Sequence, residues 1–201
     1  PFRPAAGGDR LTMPYAVTLR LDAAAAAPIE ALWHALAAAG LHDDSVTLGY
    51  PPNVTLSVHP DGTDPDRLGT AVARCAAAST RLDLRFSGFG VFAAPAPVLW
   101  LAPVVSEALL LRHRALAEAM AGLPCDPHYR PGDWVPHVTL AKGGQAGTPG
   151  WMGRALDVLA PLWPDLRPAV AERLELVHFR PVTVLASHPL RGGLATAAGH
   201  G

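Results

Sequence analysis

The chain has 201 residues, half of them hydrophobic, with 16 Lys and Arg set against 17 Asp and Glu. That length and apolar content suit one globular domain with a sizeable core, and the balanced charge gives no overall field for a long polyanion or an anionic membrane surface. The two cysteines, Cys75 and Cys125, make neither a disulfide framework nor a zinc-ligand spacing, which fits a reducing, cytoplasmic setting.

Residues 1–12 read as a flexible arm or tag remnant, since they lack the apolar core of a signal peptide, and residues 13–201 read as one domain. YAVTLRLD at 15–22 is β-rich and predicts a strand. The alanine-rich run at 23–40 is interrupted by Pro28, Glu30 and His34, so it is no membrane span. Ile29, Leu32, Trp33 and Leu36 recur at helical spacing there, with Gly40 as a stop. NVTLSVH at 53–59 alternates strictly: Val54, Leu56 and Val58 on one face, Asn53, Thr55, Ser57 and His59 on the other. Asp64-Pro65 opens a helix that turns Leu68, Val72 and Cys75 inward, and RLDLRFSGFGVF at 81–92 reads as one strand with a glycine irregularity.

The order of elements then restarts. VLWLAPV at 98–104 predicts a strand, Ser106 caps a helix presenting Leu109, Leu110, Leu116 and Met120, and WVPHVTLA at 134–141 predicts a strand. A helix from Thr148-Pro149 carries Met152, Leu156 and Leu159, and two strands follow at roughly 170–178 and 181–187. PPNVTL and VPHVTL stand at matching places in the two series: Asn53 and His137 are 84 positions apart, and the same offset from Tyr15 reaches Leu99. The chain therefore reads as an α+β duplication with pseudo-twofold symmetry, with lobes at about 14–92 and 97–188. Two antiparallel sheets would line a central groove, with helices outside. Residues i and i+2 of a strand point the same way, so each lobe offers that groove one polar pair, Asn53 with Thr55 and His137 with Thr139.

This pattern resembles the 2H phosphoesterase superfamily, in particular its LigT-like 2′-5′ RNA ligase and cyclic phosphodiesterase branch, whose signature is one His-x-Thr/Ser motif in each lobe. HVTL at 137–140 matches in full, and NVTL at 53–56 matches except that Asn53 replaces the histidine. The resemblance implies a metal-independent phosphoesterase with no cofactor, acting on a 2′,3′-cyclic phosphate end or a 2′-5′ linkage of RNA or a small nucleotide. Its partner would be a nucleotide or RNA terminus, with a monomer favoured and no membrane involved. Position by position, His137 would be the general base, and Thr55 and Thr139 would hold the non-bridging oxygens. Asn53 would stand in the acid's place, and imidazole suits such roles because its pKa lies near neutrality. An amide neither gives nor takes a proton near pH 7, so Asn53 is left to hydrogen-bond the leaving oxygen. A second reading is a catalytically degenerate nucleotide or RNA-end binding module of the same fold; a third is an interaction scaffold without a small-molecule site.

The stretch DPHYRPGDW at 126–134 places His128, Tyr129, Arg130 and Trp134 just before the second motif. It reads either as a loop that stacks a base and pairs a phosphate or as a proline-rich surface loop with a packed tryptophan. Lys142, the only lysine, points away from His137 under strict alternation. His59 shares the face of Asn53 but lies ~20 Å along the strand. His178 lies on a late strand that the sequence does not place, while His34, His113, His188 and His200 make no metal-ligand spacing and read as structural or surface groups. Trp33 and Trp100 read as packing residues, and Asn53 has an alternative local use in bonding the chain near Pro51-Pro52.

Overall fold

The computed structural model describes residues 14–93, 96–142, 150–179 and 181–192; the expected N-terminal arm and the Thr148-Pro149 helix start lie outside them. In chain order the elements are β1 (Tyr15–Leu21), α1 (Ala23–Ala38), α2 (Asp44–Leu48), β2 (Asn53–His59), α3 (Pro65–Ala77), β3 (Leu82–Leu84), β4 (Phe86–Phe92) and β5 (Val98–Pro103). Then come α4 (Glu107–Ala119), β6 (Val138–Lys142), α5 (Trp151–Leu159), β7 (Ala169–His178) and β8 (Thr183–Pro189). Helix starts follow local chemistry. Asp64 accepts from the N–H groups of Asp66 and Arg67 at 3.0 and 3.3 Å, and Ser106 Oγ from that of Leu109 at 3.2 Å, each satisfying first-turn donors that lack a helical partner.

Two antiparallel sheets form, as expected. One has the order β2-β1-β7-β3 with β8 also on β7, and the other has the order β4-β5-β6. Their apolar faces meet the helices in one core that includes Leu19, Ile29, Leu56, Leu101, Leu116, Leu140 and Leu174. The sheets do not divide the chain at the sequential lobes 14–92 and 97–188. Residues 81–92 are two strands rather than one, β3 completing the first sheet and β4 opening the second, while β7 and β8 return to the first sheet. The break falls at Arg85, where the chain passes between sheets. A register shift between Phe86 and Gly88 then leaves Ser87 as an extra residue against β5, at the glycine irregularity the sequence marks. A Cβ on Gly90 would collide with the Trp100 ring, which occupies that space. Leu110 is exposed rather than inward, one position off the Leu109–Leu116 stripe.

A second pair of irregularities overturns the strict alternation expected of the motif strands. Thr55 faces Thr18 and Ser57 faces Val17, so Leu56 is an extra residue; Thr139 faces Trp100 and Ala141 faces Leu99, so Leu140 is an extra residue. These bulges fall at equivalent leucines of the two repeats, and beyond each one the side chains change face. In β2, Ser57 and His59 therefore turn inward and Val58 outward. In β6, Leu140 and Ala141 are both buried, and Lys142 comes round to the side of His137 and Thr139. The expected orientations of Val58, His59 and Lys142 are corrected on the same ground.

Candidate active site

Between the sheets lies a cavity of about 950 Å³, and Asn53, Thr55, His137 and Thr139 all line it. It is within the size range of small-molecule sites. Its centre is fixed by a reciprocal exchange between repeats. Trp33 in α1 donates its indole N–H to the carbonyl of Thr139 at 3.0 Å, and Trp134, just before β6, donates to the carbonyl of Thr55 at 3.0 Å. Each repeat thus grips the motif strand of the other beside its bulge. The far end of β2 is held in a similar way, by the N–H of Asp126 donating to the carbonyl of Val58 at 2.8 Å.

The first motif residues are anchored alike. His137 Nδ1 lies 2.8 Å from the carbonyl of Val135, and Asn53 Nδ2 donates to the carbonyl of Pro51 at 3.0 Å, each two residues back along the chain. A carbonyl only accepts, so Nδ1 of His137 carries the proton and Nε2 of the neutral ring is an unprotonated acceptor. Burial lowers the His137 pKa below the usual imidazole value, opposed by the bond to Val135 and reinforced by the positive charge of Lys142. Phe92 meets its ring edge-on at 5.0 Å and Trp100 lies at 6.1 Å, supplying the apolar surroundings behind that burial. Asn53 keeps the anchor and lacks the distal nitrogen. Its Oδ1 is 3.5 Å from the hydroxyl of Thr55, at the limit of hydrogen bonding, so that hydroxyl is weakly held. The local use of Asn53 near Pro51-Pro52 is therefore present.

Around the first motif the walls are polar. Thr18, opposite Thr55, lies 2.7 Å from Tyr50 Oη, which donates to Glu175 Oε2 at 2.8 Å; Thr18 therefore donates to Tyr50. Glu175 is buried, accepts from Ser187 Oγ, and faces Arg20 at 3.3 Å and Arg173 at 3.6 Å. Burial pushes the Tyr50 phenol well up, so it stays a proton donor to Glu175. Thr18 and Tyr50 line the cavity. No sequence signal marks this network, because Tyr50 and Glu175 are 125 positions apart.

The other sequence candidates divide. Tyr129 lines the cavity half-buried, its phenol pushed up to about 12 chiefly by burial. Trp134 is buried against His113, the rings stacked at 4.0 Å, so one face and the N–H are already engaged. Arg130 is exposed, donates to the Cys125 carbonyl at 3.3 Å and does not line the cavity. His59 is buried, Nδ1 donating to the Pro124 carbonyl at 2.7 Å and Nε2 lying 3.0 Å from Ser57 Oγ. His178 stacks on Tyr15 at 4.7 Å, away from the motif pairs, and His113 donates to the Tyr129 carbonyl at 2.9 Å. The sequence reading passed over His42, which lines the cavity with its pKa lowered mainly by burial. The repeat offset was the available signal, since it maps residues 42–48 onto the 126–132 stretch already singled out. Among the described residues no group of three or more His, Cys, Asp or Glu gathers as a metal site would need, and no helix is long and apolar enough to cross a membrane.

No curated protein matches the chain in sequence. Similar solved structures include Kluyveromyces marxianus Usb1, at 15% identity and a TM-score of 0.45, covering 89% of this chain and 97% of that one. Another is Kluyveromyces marxianus Usb1 with uridine monophosphate, at 17% and 0.48, covering 89% and 98%. The family model of the 2′-5′ RNA ligase superfamily matches residues 18–181, a span that holds both motif strands and both tryptophan clamps, and the chain belongs to that superfamily.

Proposed function

We propose that the protein is a metal-independent phosphodiesterase of the LigT-like type that opens 2′,3′-cyclic phosphate ends or 2′-5′ linkages of RNA or small nucleotides, with His137 as its one proton-transfer group. The observation that carries this reading is the Nδ1–Val135 bond, which commits one ring nitrogen and leaves Nε2 as a base on the cavity side. Nε2 takes a proton from the attacking water as its oxygen bonds to phosphorus, and the P–O bond to the leaving oxygen breaks. Thr55 and Thr139 donate to the non-bridging oxygens. The second Nδ2 hydrogen of Asn53 bonds the departing oxygen, which takes its proton from water. A sugar hydroxyl in place of water gives ligation instead of hydrolysis. Tyr129 supports the substrate from the cavity wall.

Loss of a second acid costs about 10²- to 10⁴-fold in rate. That cost, with an asparagine already engaged at Pro51, favours one competing reading: a binding module that holds a nucleotide or RNA end without turnover. The experiment is turnover of a nucleoside 2′,3′-cyclic monophosphate in chelated buffer. Slow hydrolysis that vanishes in His137→Ala supports the phosphodiesterase. Binding with no turnover, in both the chain as given and Asn53→His, replaces it with the binding module.

A further inference from the structure

The first sheet carries charge beside the motif that lacks an imidazole. In register, Arg20 of β1 stands beside Asn53 of β2 and Arg173 of β7 beside Arg20, and in the next row Thr55, Thr18, Glu175 and Ser187 lie side by side. Residues two apart on an unbroken strand share a face, and Asn53, Thr55 and Thr18 line the cavity, so Arg20 stands on the face turned to it. Directly opposed residues of paired strands have Cβ atoms about 5 Å apart, which puts a group bound by Asn53 within reach of the guanidinium. The second sheet has no counterpart. Trp100 faces Thr139 and Leu101 faces Val138, and the same register carried one residue further puts Ala102 beside His137. Where the histidine has an alanine on the neighbouring strand, the asparagine has a cation.

The two arginines of this face are held differently. Arg173 is committed: its Nε donates to Ser187 Oγ at 2.7 Å and its Nη2 to the Ser187 carbonyl at 3.1 Å. Arg20 reaches Glu172 Oε1 at 3.5 Å and Glu175 Oε1 at 3.3 Å, both long for a charge-assisted bond, and its side chain is 30% exposed. Glu175 is buried and accepts from Tyr50 and Ser187, so the carboxylate that seats Arg20 is itself fixed. A guanidinium has five N–H donors, and two loose contacts leave Arg20 donors to offer. We infer that Arg20 is a further catalytic residue of this site: it donates to the departing oxygen beside Asn53 and stabilises the negative charge that develops there, in place of the missing imidazolium. As the P–O bond breaks, its electron pair stays on that oxygen. Arg20 keeps its own proton, since a guanidinium does not deprotonate in a protein. The oxyanion takes a proton from water, and the hydroxide formed neutralises the proton that His137 took from the nucleophile. The inference rests on the phosphodiesterase reading.

Two substrates separate this role from a structural one: uridine 2′,3′-cyclic monophosphate, which releases an alkoxide, and uridine 2′-(4-nitrophenyl phosphate), which releases a phenolate that needs little stabilisation. On the first, Arg20→Met should lower kcat about 10²-fold, the loss expected for one donor to a developing oxyanion, with KM held within about threefold. On the second the loss should stay below about threefold, which also shows that the variant is folded. Arg20→Lys keeps the charge without the planar fork and should recover about tenfold on the first substrate. Asn53→His made in the Arg20→Met protein should restore the rest, because an imidazolium supplies both charge and proton. Equal losses on both substrates, no loss on either, or opening of the nitrophenyl ester alone by the unaltered chain overturns the inference and leaves the phosphodiesterase reading standing. No turnover of either substrate by the unaltered chain overturns both.

Discussion

β2 and β6 bulge at equivalent leucines, receive an indole hydrogen bond at equivalent threonines, and anchor the first motif side chain on the carbonyl two residues back. They differ in what that side chain is and in what surrounds it. His137 is set among Phe92 and Trp100, apolar rings that disfavour its charged form, whereas Asn53 stands on a sheet face whose neighbouring rows hold Thr18, Glu175 and Arg20, with the Tyr50 hydroxyl bonded between Thr18 and Glu175. The duplicated scaffold is thus separable from the duplicated chemistry. Bulge, clamp and anchor are present where the imidazole is not, because none of them needs it: the bulges fit each motif strand to its own neighbour, β1 or β5, the anchors are local, and the clamps bind backbone carbonyls of the opposite repeat. An asparagine keeps the anchor, since its Nδ2 reaches the same carbonyl as a histidine Nδ1.

The largest effect that would break the comparison is loss of activity on one side alone. His137→Ala should lower kcat by about 10²- to 10⁴-fold, the range for losing a general base, while Asn53→Ala, which removes only a hydrogen bond to the leaving oxygen, should cost about tenfold in the same assay. Equal losses would mean that the two strands act alike. Asn53→His should raise kcat towards the same 10²-fold scale and give the rate profile a second, alkaline limb. The chain as given should show only an acid limb, with rate rising as His137 deprotonates and half-maximal below pH ~6.5, since burial lowers its pKa. A pH series on both proteins decides this.

Stability separates the two surroundings next. Glu175→Gln removes the carboxylate between Arg20 and Arg173, and should cost about 2 kcal/mol in urea unfolding; the figure is kept below that of a fully buried pair because both arginines are partly exposed. Tyr50→Phe, which loses the donor to Glu175 and the acceptor for Thr18, should cost about 1 kcal/mol. The pH dependence has a definite sign. His59, His113 and His137 have folded pKa values below the ordinary one, so the unfolded chain binds more protons below pH ~6.5. Their contribution is fully present above that pH and is lost as pH falls through the lowered folded values. A midpoint that rises on acidification would contradict it. The smallest effect tests what the strands share: Trp33→Phe and Trp134→Phe should each cost about 1 kcal/mol, and by similar amounts, because each removes one indole donor to a motif carbonyl.

Much of this was legible in the residues themselves. The bounds of β2, the inward face of α1 and the caps at Asp64 and Ser106 follow from periodicity and local donors. So does the pairing of His137 with Thr139 on the cavity side, because i and i+2 share a face over any unbroken stretch of strand. Alternation failed past Leu56 and Leu140, since a bulge depends on the partner strand and leaves no mark on the strand that carries it. That failure misplaced Val58, His59 and Lys142 together.

The sequence by itself determined the repeated motif, the pairing of Asn53 with Thr55 and of His137 with Thr139 on one face, and the missing imidazole, since these are properties of short windows and of one fixed offset. Only the tertiary structure decided which sheet β3, β4, β7 and β8 join, that Lys142 faces the site while Arg130 does not, and that Trp134 clamps Thr55 from the other repeat. The physical reason is range. Propensity and periodicity act over a turn or a strand, whereas those placements are set by hydrogen bonds and packing between segments that meet only once the core has formed.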